Sequence, residues 1–187
     1  MKEIKDQYQT PPAVAQAMAG MIPWEAITFY EPMPGNGALV DAIIEEMTLR
    51  FRINSYHITS NDDYFNRGTL EKAPFDCILM NPPFSDKSAF NVPDDEKYKG
   101  MKFGYEILSE CMELSNNIIA LMPWFTIVDS DVRLREIYKF GLKSITALPR
   151  KTFDYARIQT CILEMDKSFK GDTLFKMFNV NLLKKQK

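Results

Sequence analysis

The tetrapeptide Asn81-Pro82-Pro83-Phe84, which directly follows the apolar run Cys77–Met80, constrains this chain more than any other stretch. A short apolar run bounded by a turn signal predicts a buried strand, so the tetrapeptide is expected at that strand's carboxyl end. Ligands of open α/β sheets bind at such strand ends.

The composition of the tetrapeptide predicts a pocket that is rich in hydrogen-bond acceptors. Pro82 and Pro83 fix φ and lack N–H groups, so the main chain offers only carbonyls there. Asn81 adds a side-chain carbonyl, and Phe84 adds a flat ring. Together they suit a planar group that carries an amino group. The alternative interpretation is a Pro-Pro turn beside a phenylalanine of the core.

Strands and helices alternate along the rest of the chain. Strands are predicted at 27–30, 53–60, 77–80, 117–122, 145–148 and 158–165, and helices over 39–47, 103–114 and 131–140. A further helix is expected near the amino end, with Thr10 as its N-cap and Pro11 at its first position, and Ser130 is expected to cap the helix over 131–140. This order predicts an α/β fold with a single doubly wound, mostly parallel sheet. We expect one domain over 1–187, with its core at about 8–167 and a terminal strand or tail at 168–187.

The first predicted strand ends in the turn Glu31-Pro32-Met33-Pro34-Gly35-Asn36-Gly37, after which a helix begins. Glycines let a backbone approach a ligand closely. A carboxylate at this strand end suits an amine or a ribose hydroxyl better than a pyrophosphate. The irregular segment 85–102 lies next to the predicted site and is expected to be either a functional lid or disordered.

Charge and rare residues narrow the function further. The net charge of −2 argues against generic electrostatic binding of DNA, yet the segment 150–187 has nine Lys/Arg against four Asp/Glu. That basic segment is either a solvated face or a phosphate-facing patch. Three separated cysteines and one histidine predict no metal site and no disulfide framework, which fits a reducing cytoplasm. No run is long enough to predict a membrane span.

These motifs resemble those of S-adenosylmethionine-dependent adenine-N6 DNA methyltransferases whose cofactor motif precedes the catalytic motif. The resemblance runs from about Tyr8 to Lys167. It rests on Tyr8-Gln9-Thr10-Pro11, the glycine turn 31–37, Asn61-Asp62-Asp63-Tyr64-Phe65, the unaltered tetrapeptide at 81–84, and Leu148-Pro149-Arg150-Lys151-Thr152-Phe153.

The resemblance implies a class I, Rossmann-like methyltransferase fold and a set of site residues. Asn81, Pro82, Pro83 and Phe84 would hold a flipped base whose amino group is methylated. S-adenosylmethionine would be bound by Tyr8, Thr10, Glu31, Met33, Gly35, Gly37, Asp62 and Asp63. DNA, or RNA, would be contacted by Arg150, Lys151, Phe153 and Arg157. The family needs no metal.

The chain departs from the family pattern in two respects. Only about 25 residues separate Gly37 from Asp62, so one strand–helix unit is expected to be missing. A target-recognition domain is also expected to be missing, since only about 20 residues follow Lys167. This predicts relaxed sequence preference or a second polypeptide that supplies the specificity. Methylation of a guanine in ribosomal RNA or of a glutamine amide is an alternative reading of the same motif. A degenerate fold that acts as a binding or inhibitory protein is another.

Overall fold

The computed structural model describes residues 8–51, 56–61, 63–66, 74–153 and 158–186. Its strands are β1 Thr28–Glu31, β2 His57–Ser60, β3 Cys77–Met80, β4 Asn117–Pro123, β5 Leu142–Ala147, β6 Thr160–Asp166 and β7 Leu174–Met177. Its α-helices are α1 Pro12–Ala19, α2 Ala38–Phe51, α3 Phe103–Cys111, α4 Phe125–Val128 and α5 Asp131–Gly141. Short 3₁₀ segments lie at 64–66, 86–88, 96–98, 100–102, 150–152 and 180–186.

All seven strands belong to one sheet with the order β2-β1-β3-β4-β6-β5-β7. The pairs β1–β2, β1–β3, β3–β4 and β5–β7 are parallel, and β6 alone runs antiparallel to both of its neighbours. The predicted single, mostly parallel sheet is therefore confirmed, and the terminal segment supplies a strand. Within the described residues β2 is an edge strand, in agreement with a missing strand–helix unit.

Helices cover both faces of the sheet. Cys77 and Leu79 of β3 point into the core beneath α1 and α2, whereas Ile78 and Met80 point into the core beneath α3 and α5. A strand buried on both faces needs a continuous apolar sequence, which explains the uninterrupted run at 77–80. The doubly wound arrangement follows from this packing.

Parallel pairing brings the functional strand ends to one edge of the sheet, here called the carboxyl edge. β1 ends there at Glu31, β3 at Met80 and β5 at Ala147. At the opposite ends of β1 and β3, Asp76 Oδ2 accepts hydrogen bonds from the N–H groups of Ile27 and Thr28, at 3.0 and 2.9 Å. These hydrogen bonds fix β1 relative to β3. The turns that follow the two strands are therefore also fixed relative to each other.

Helix caps illustrate one prediction that fails and one that succeeds. Thr10 is not the N-cap of α1, because the helix begins at Pro12 and the capping position is held by Pro11, which makes no side-chain cap bond. The Thr10 hydroxyl is instead used in the site described below. Ser130 caps α5 as expected, since its hydroxyl accepts a hydrogen bond from the Arg133 N–H.

Candidate active site

A cleft of about 820 Å³, including its open mouth, lies at the carboxyl edge between the turns that follow β1 and β3. The predicted residues that line it are Tyr8, Thr10, Met33, Gly35, Asp63, Asn81, Pro82, Pro83 and Phe84. The fold thus brings together nine of the predicted site residues from four separate stretches of the chain.

The Asn81 amide is oriented by the segment that precedes α1. Its Nδ2 donates to the Tyr8 carbonyl at 2.8 Å and to the Thr10 hydroxyl at 3.0 Å. A carbonyl can only accept, so the atom facing Tyr8 must be the amide nitrogen. Both N–H bonds of the amide are then used, and no described residue donates to Oδ1. The remaining hydrogen-bonding capacity of Asn81 is therefore that of an acceptor.

The first turn of α3 supports the proline turn from behind. A Cβ atom placed on Gly104 would lie 3.1 Å from the Pro83 carbonyl oxygen and 3.7 Å from Pro82 Cγ. A side chain at this position would therefore make a contact with the Pro83 carbonyl that is tighter than ordinary van der Waals contact. Because Gly104 is buried in a helix, where alanine is the better helix former, this close packing explains why a glycine suits the position.

Three aromatic rings stand side by side at the cleft. Tyr8 stacks on Phe84 with ring centroids 5.8 Å apart and an interplanar angle of 23°. Tyr8 also meets Phe153 edge to face at 5.8 Å. Phe153 is only 7% exposed and belongs to the core rather than to the cleft wall. One face of Phe84 is covered by Tyr8, so a planar ligand would stack on the other face or displace Tyr8.

The two glycines of the β1 turn serve different purposes. Gly35 and Gly37 have φ values of +55° and +84°, a region that favours glycine. A Cβ on Gly35 would lie 2.5 Å from Gln9 Oε1, whereas one on Gly37 would meet nothing within 4 Å. Gln9 Oε1 accepts a hydrogen bond from the Asn36 N–H at 2.9 Å, so the Gln9 side chain holds the turn from outside.

Glu31 is fully buried and does not line the cleft. Its Oε1 accepts a hydrogen bond from the Met33 N–H at 3.1 Å, and its Oε2 has no hydrogen-bond partner. Burial raises the pKa of Glu31 to about 8, although the bond from Met33 acts in the opposite direction. This carboxyl group therefore holds the turn together and keeps one unsatisfied acceptor directly behind Met33.

The segment 85–102 forms a wall of the cleft. Ser88, Ala89 and Phe90 line the cleft. Asn91 donates a hydrogen bond to Asp63, whose other oxygen accepts from the Phe65 N–H at 3.1 Å. The segment 85–102 is therefore ordered rather than disordered, and its role as a lid stays a prediction. Asn91 joins it to the turn at 63–65, here called the acidic turn.

A half-buried carboxylate anchors the other end of this wall. Glu110 on α3 accepts hydrogen bonds from the hydroxyls of Tyr64 and Tyr98 and from Lys97 Nζ. Burial by itself would raise the pKa of Glu110, but these hydrogen bonds outweigh it and lower the pKa below its ordinary value. Phe65 packs against Tyr98 with ring centroids 4.9 Å apart, so the wall and the acidic turn share one aromatic cluster.

The remaining predicted residues lie away from the cleft or outside the described chain. Arg150 and Lys151 are exposed on a 3₁₀ turn at the carboxyl edge. Gly37 does not line the cleft. Asp62 and Arg157 fall outside the described residues. Across the described ranges, no group of three or more His, Cys, Asp or Glu residues could hold a metal ion, and no helix is long and apolar enough to cross a membrane.

Seven residues that line the cleft were not predicted as site residues, and neither was Gly104, which supports the proline turn. The seven are Gln9, Pro34, Leu39, Tyr64, Ser88, Ala89 and Phe90. Gln9 and Leu39 lie within or next to quoted motifs, so the motifs themselves could have revealed them. Phe90 and Gly104 have no such signal, because their importance depends on segments that meet them only after folding.

The fold matches those of solved methyltransferase structures. A modification subunit of a putative type I restriction enzyme from Vibrio vulnificus superposes with a TM-score of 0.68 at 18% identity, over 91% of this chain and 47% of that one. A putative class I S-adenosylmethionine-dependent methyltransferase from Listeria monocytogenes gives 0.66 at 15% identity, over 99% and 71%. The chain has the class I methyltransferase fold.

A third similar solved structure has nearly the same chain length as this protein. A putative RNA methyltransferase from Pyrococcus horikoshii superposes with a TM-score of 0.52 at 16% identity and covers 89% of this chain and 90% of its own. By contrast, the chain spans about half the length of the Vibrio subunit. No protein-family model and no curated protein sequence matches the chain.

Proposed function

We propose that this protein is an S-adenosylmethionine-dependent methyltransferase that acts on the exocyclic amino group of adenine in DNA. The observation that carries the proposal is the Asn81 amide, whose nitrogen is fully used by Tyr8 and Thr10 and whose oxygen is left as an acceptor in the cleft. The likeness of the fold to a modification subunit supports the same activity.

Asn81 Oδ1 and the Pro82 carbonyl would accept the two N–H bonds of the target amino group. Acceptors in these positions stabilise the positive charge that develops on the nitrogen as it forms a bond to carbon. Phe84 would stack on the base, a contact worth about 1–3 kcal/mol. The site then works by placement and electrostatics and needs no covalent enzyme intermediate.

The cofactor residues fit their proposed ligand at two points. Glu31 Oε2 is a buried acceptor without a partner, and although Glu31 does not line the cleft, an ammonium group of the ligand would supply the missing partner. Asp63 is held at the cleft by Phe65 and Asn91, where a carboxylate can accept from an adenine amino group. Tyr8, Thr10, Met33 and Gly35 line the space between them, with Gly37 shaping the turn behind, and Asp62 adjoins Asp63 in sequence. S-adenosylmethionine would supply the electrophilic methyl group.

The nucleic acid would approach the carboxyl edge. Arg150 and Lys151 are exposed there and can neutralise phosphates. Arg157, which lies outside the described residues, is proposed as a further phosphate contact. Phe153 would support the extruded base through its contact with Tyr8. These groups position a duplex without reading its sequence. We therefore propose that the lone chain has relaxed sequence preference or receives its specificity from a second polypeptide.

A second candidate is methylation of an amino group in RNA. It is favoured by the match to the putative RNA methyltransferase from Pyrococcus horikoshii, which has nearly the same extent as this chain. The same acceptor pair would serve a guanine amino group, and a glutamine amide could bind it in the same way.

The deciding experiment measures methyl transfer from labelled cofactor to separate pools of DNA, RNA and protein. We expect label in DNA adenine, with Asn81→Ala as the inactive control. Label in RNA or protein instead would establish the second candidate or the glutamine acceptor. Calorimetry gives the affinity for the cofactor, which we expect to be weaker than is usual for the family. If the unaltered protein binds no cofactor, the enzyme proposal fails and a binding or inhibitory role takes its place.

A further inference from the structure

Asn91, which belongs to the wall formed by the segment 85–102, reaches across to the acidic turn. Its Nδ2 donates a hydrogen bond to Asp63 Oδ2, from a position 28 residues later in the chain. The other oxygen, Oδ1, accepts from the Phe65 N–H at 3.1 Å. The bond from Phe65 is local, as in an Asx-turn, whereas the bond from Asn91 exists only because the wall packs beside the turn. Both oxygens of Asp63 are therefore held, one by each neighbour.

The backbone at Asn91 has a conformation that most residues avoid. Its φ is +50°, and among the described residues it is the one non-glycine residue with a positive φ. Asparagine is one of the few residues with a side chain that tolerate this region. Glycine adopts it more easily, so the backbone conformation alone does not explain an asparagine here. The amide of Asn91 has a role beyond shaping the turn.

The wall does not depend on Asn91 for its order. Asp86 Oδ1 accepts a hydrogen bond from the Gly100 N–H at 3.0 Å, which joins the two ends of the segment. Tyr98 is buried, and its hydroxyl donates to Glu110 of α3. These contacts hold the wall on both sides of Asn91. The bond from Asn91 therefore acts on the acidic turn rather than on the wall.

The two hydrogen bonds leave Asp63 with acceptor sites in a defined direction. Asp63 lines the cleft and is only partly exposed. An ionised carboxylate can only accept hydrogen bonds, at about four lone-pair sites. Phe65 and Asn91 use two of these sites and fix the rotation of the group. A ligand that completes the remaining sites must present an N–H or O–H group, whereas a ligand carbonyl in the same place would set two acceptors against each other.

We propose that Asn91 is a positioning residue, which holds the Asp63 carboxylate so that the cleft selects adenine over hypoxanthine, the ring with an oxygen in place of the amino group. The inference rests on the proposed function, in which Asp63 accepts a hydrogen bond from the adenine amino group of the cofactor. Asn91 acts through Asp63 and need not touch the ligand. The neighbouring Phe90 lines the cleft, which places this part of the wall at the proposed cofactor site.

The test measures binding of two probes to the full chain by calorimetry. S-adenosylhomocysteine carries the adenine amino group, and S-inosylhomocysteine carries an oxygen in its place. We expect the unaltered chain to prefer S-adenosylhomocysteine about 30-fold, less than a fully buried acceptor would achieve. Asn91→Gly keeps the backbone conformation and removes the amide. It should weaken binding of S-adenosylhomocysteine about tenfold and leave binding of S-inosylhomocysteine unchanged. Its thermal stability should stay nearly the same, because relief of the positive φ offsets the lost hydrogen bond.

Two further variants identify the cause of the loss. Asp94→Gly makes the same kind of change at an exposed residue of the wall, whose carboxylate pairs with Lys99 at 3.1 Å, and should alter neither affinity. Asp63→Ala removes the acceptor itself. In that background Asn91→Gly should have no further effect on either probe, because the two residues act as one unit.

Two results would overturn the inference and leave the proposed function in place. The first is an equal loss of affinity for both probes in Asn91→Gly, which would mean that the residue only supports the wall. The second is an unchanged preference for S-adenosylhomocysteine in that variant. If the unaltered chain binds neither probe, the proposed function fails together with the inference. None of these measurements needs a methyl acceptor, so they do not depend on whether the substrate is DNA, RNA or protein.

Discussion

The turns after β1 and β3 lie side by side at the carboxyl edge but are built from opposite kinds of residue. The β1 turn uses Gly35 and Gly37 in conformations that favour glycine. Its N–H groups are satisfied partly from within, as at Gly37, which donates to Pro34, and partly from outside, as at Asn36, which donates to Gln9. The β3 turn uses Pro82 and Pro83, which have no N–H groups to satisfy. Each turn keeps one hydrogen-bond acceptor to which no described residue donates, Glu31 Oε2 at the β1 turn and Asn81 Oδ1 at the β3 turn.

The two leftover acceptors differ in how they respond to pH. Glu31 Oε2 belongs to a buried carboxyl group whose pKa is raised to about 8, so its charge changes near neutrality. Asn81 Oδ1 belongs to a neutral amide whose orientation is set by Tyr8 and Thr10. An ionisable acceptor can match a charged ammonium group, whereas a neutral amide can match an uncharged amine over a wide range of pH.

The largest expected effect comes from Asn81→Ala. Loss of the acceptor should lower the rate of methyl transfer about 10²–10³-fold, the usual effect of removing one preorganised hydrogen bond. Loss of the bonds to Tyr8 and Thr10 should also lower the free energy of unfolding by about 2 kcal/mol. Labelled-cofactor assays and urea unfolding measure the two effects. Thr28→Val, which loses a hydrogen bond to Asp76 at the opposite end of β1, is the control for stability alone. Equal activity losses in both variants would contradict the role of Asn81.

The next effect is the pH dependence that Glu31 imposes on stability. The folded state holds the Glu31 proton up to a pKa of about 8, against an ordinary value of 4.5. The stability that this bound proton contributes is therefore fully present below pH 4.5 and is lost as the pH rises toward 8. Over that range the free energy of unfolding falls by at most about 1.4 kcal/mol per pH unit. Glu31→Gln should remove this slope in urea unfolding, and Glu25→Gln on the surface should not. Parallel slopes in Glu31→Gln and the unaltered chain would show that Glu31 does not titrate in this window.

Gly35→Ala and Gly37→Ala should lower the free energy of unfolding by different amounts. Gly37→Ala should lower the free energy of unfolding by about 1 kcal/mol, since only its positive φ is strained. Gly35→Ala should cost about 2 kcal/mol, because its Cβ also meets Gln9. Combining Gly35→Ala with Gln9→Ala should bring its cost down toward that of Gly37→Ala in thermal unfolding. If Gly35→Ala still lowers the free energy of unfolding by about 2 kcal/mol in the Gln9→Ala background, Gln9 is not the obstacle.

The smallest effect concerns the support of the proline turn. Gly104→Ala should leave stability nearly unchanged, because better helix propensity offsets the tight contact with the Pro83 carbonyl. It should lower kcat about tenfold through displacement of the acceptors, with little change in KM for the cofactor. Gly20→Ala, whose Cβ would make only ordinary contacts, is the matched control. An unchanged kcat in Gly104→Ala would mean that the helix does not position the turn.

The sequence by itself determined the elements and the place of the cleft. Periodicity and turn residues are local signals, so the run at 77–80 identified a strand buried on both faces without knowledge of its neighbours. The glycine turn and the proline turn could be expected at one edge because parallel strands end on the same side. Six of the nine predicted residues that line the cleft belong to these two turns, whereas Tyr8, Thr10 and Asp63 were predicted from the resemblance to methyltransferase motifs.

The tertiary structure alone decided which groups these residues use. Thr10 has the sequence signature of a helix cap, yet its hydroxyl binds Asn81, a residue 71 positions away. Glu31 turns into the core, and Gly104 matters only because α3 comes to lie against Pro83. The position of β7 at the edge of the sheet likewise depends on β6 inserting between β4 and β5. Hydrogen-bond partners and strand neighbours depend on packing between distant segments. Local sequence patterns contain no information about that packing.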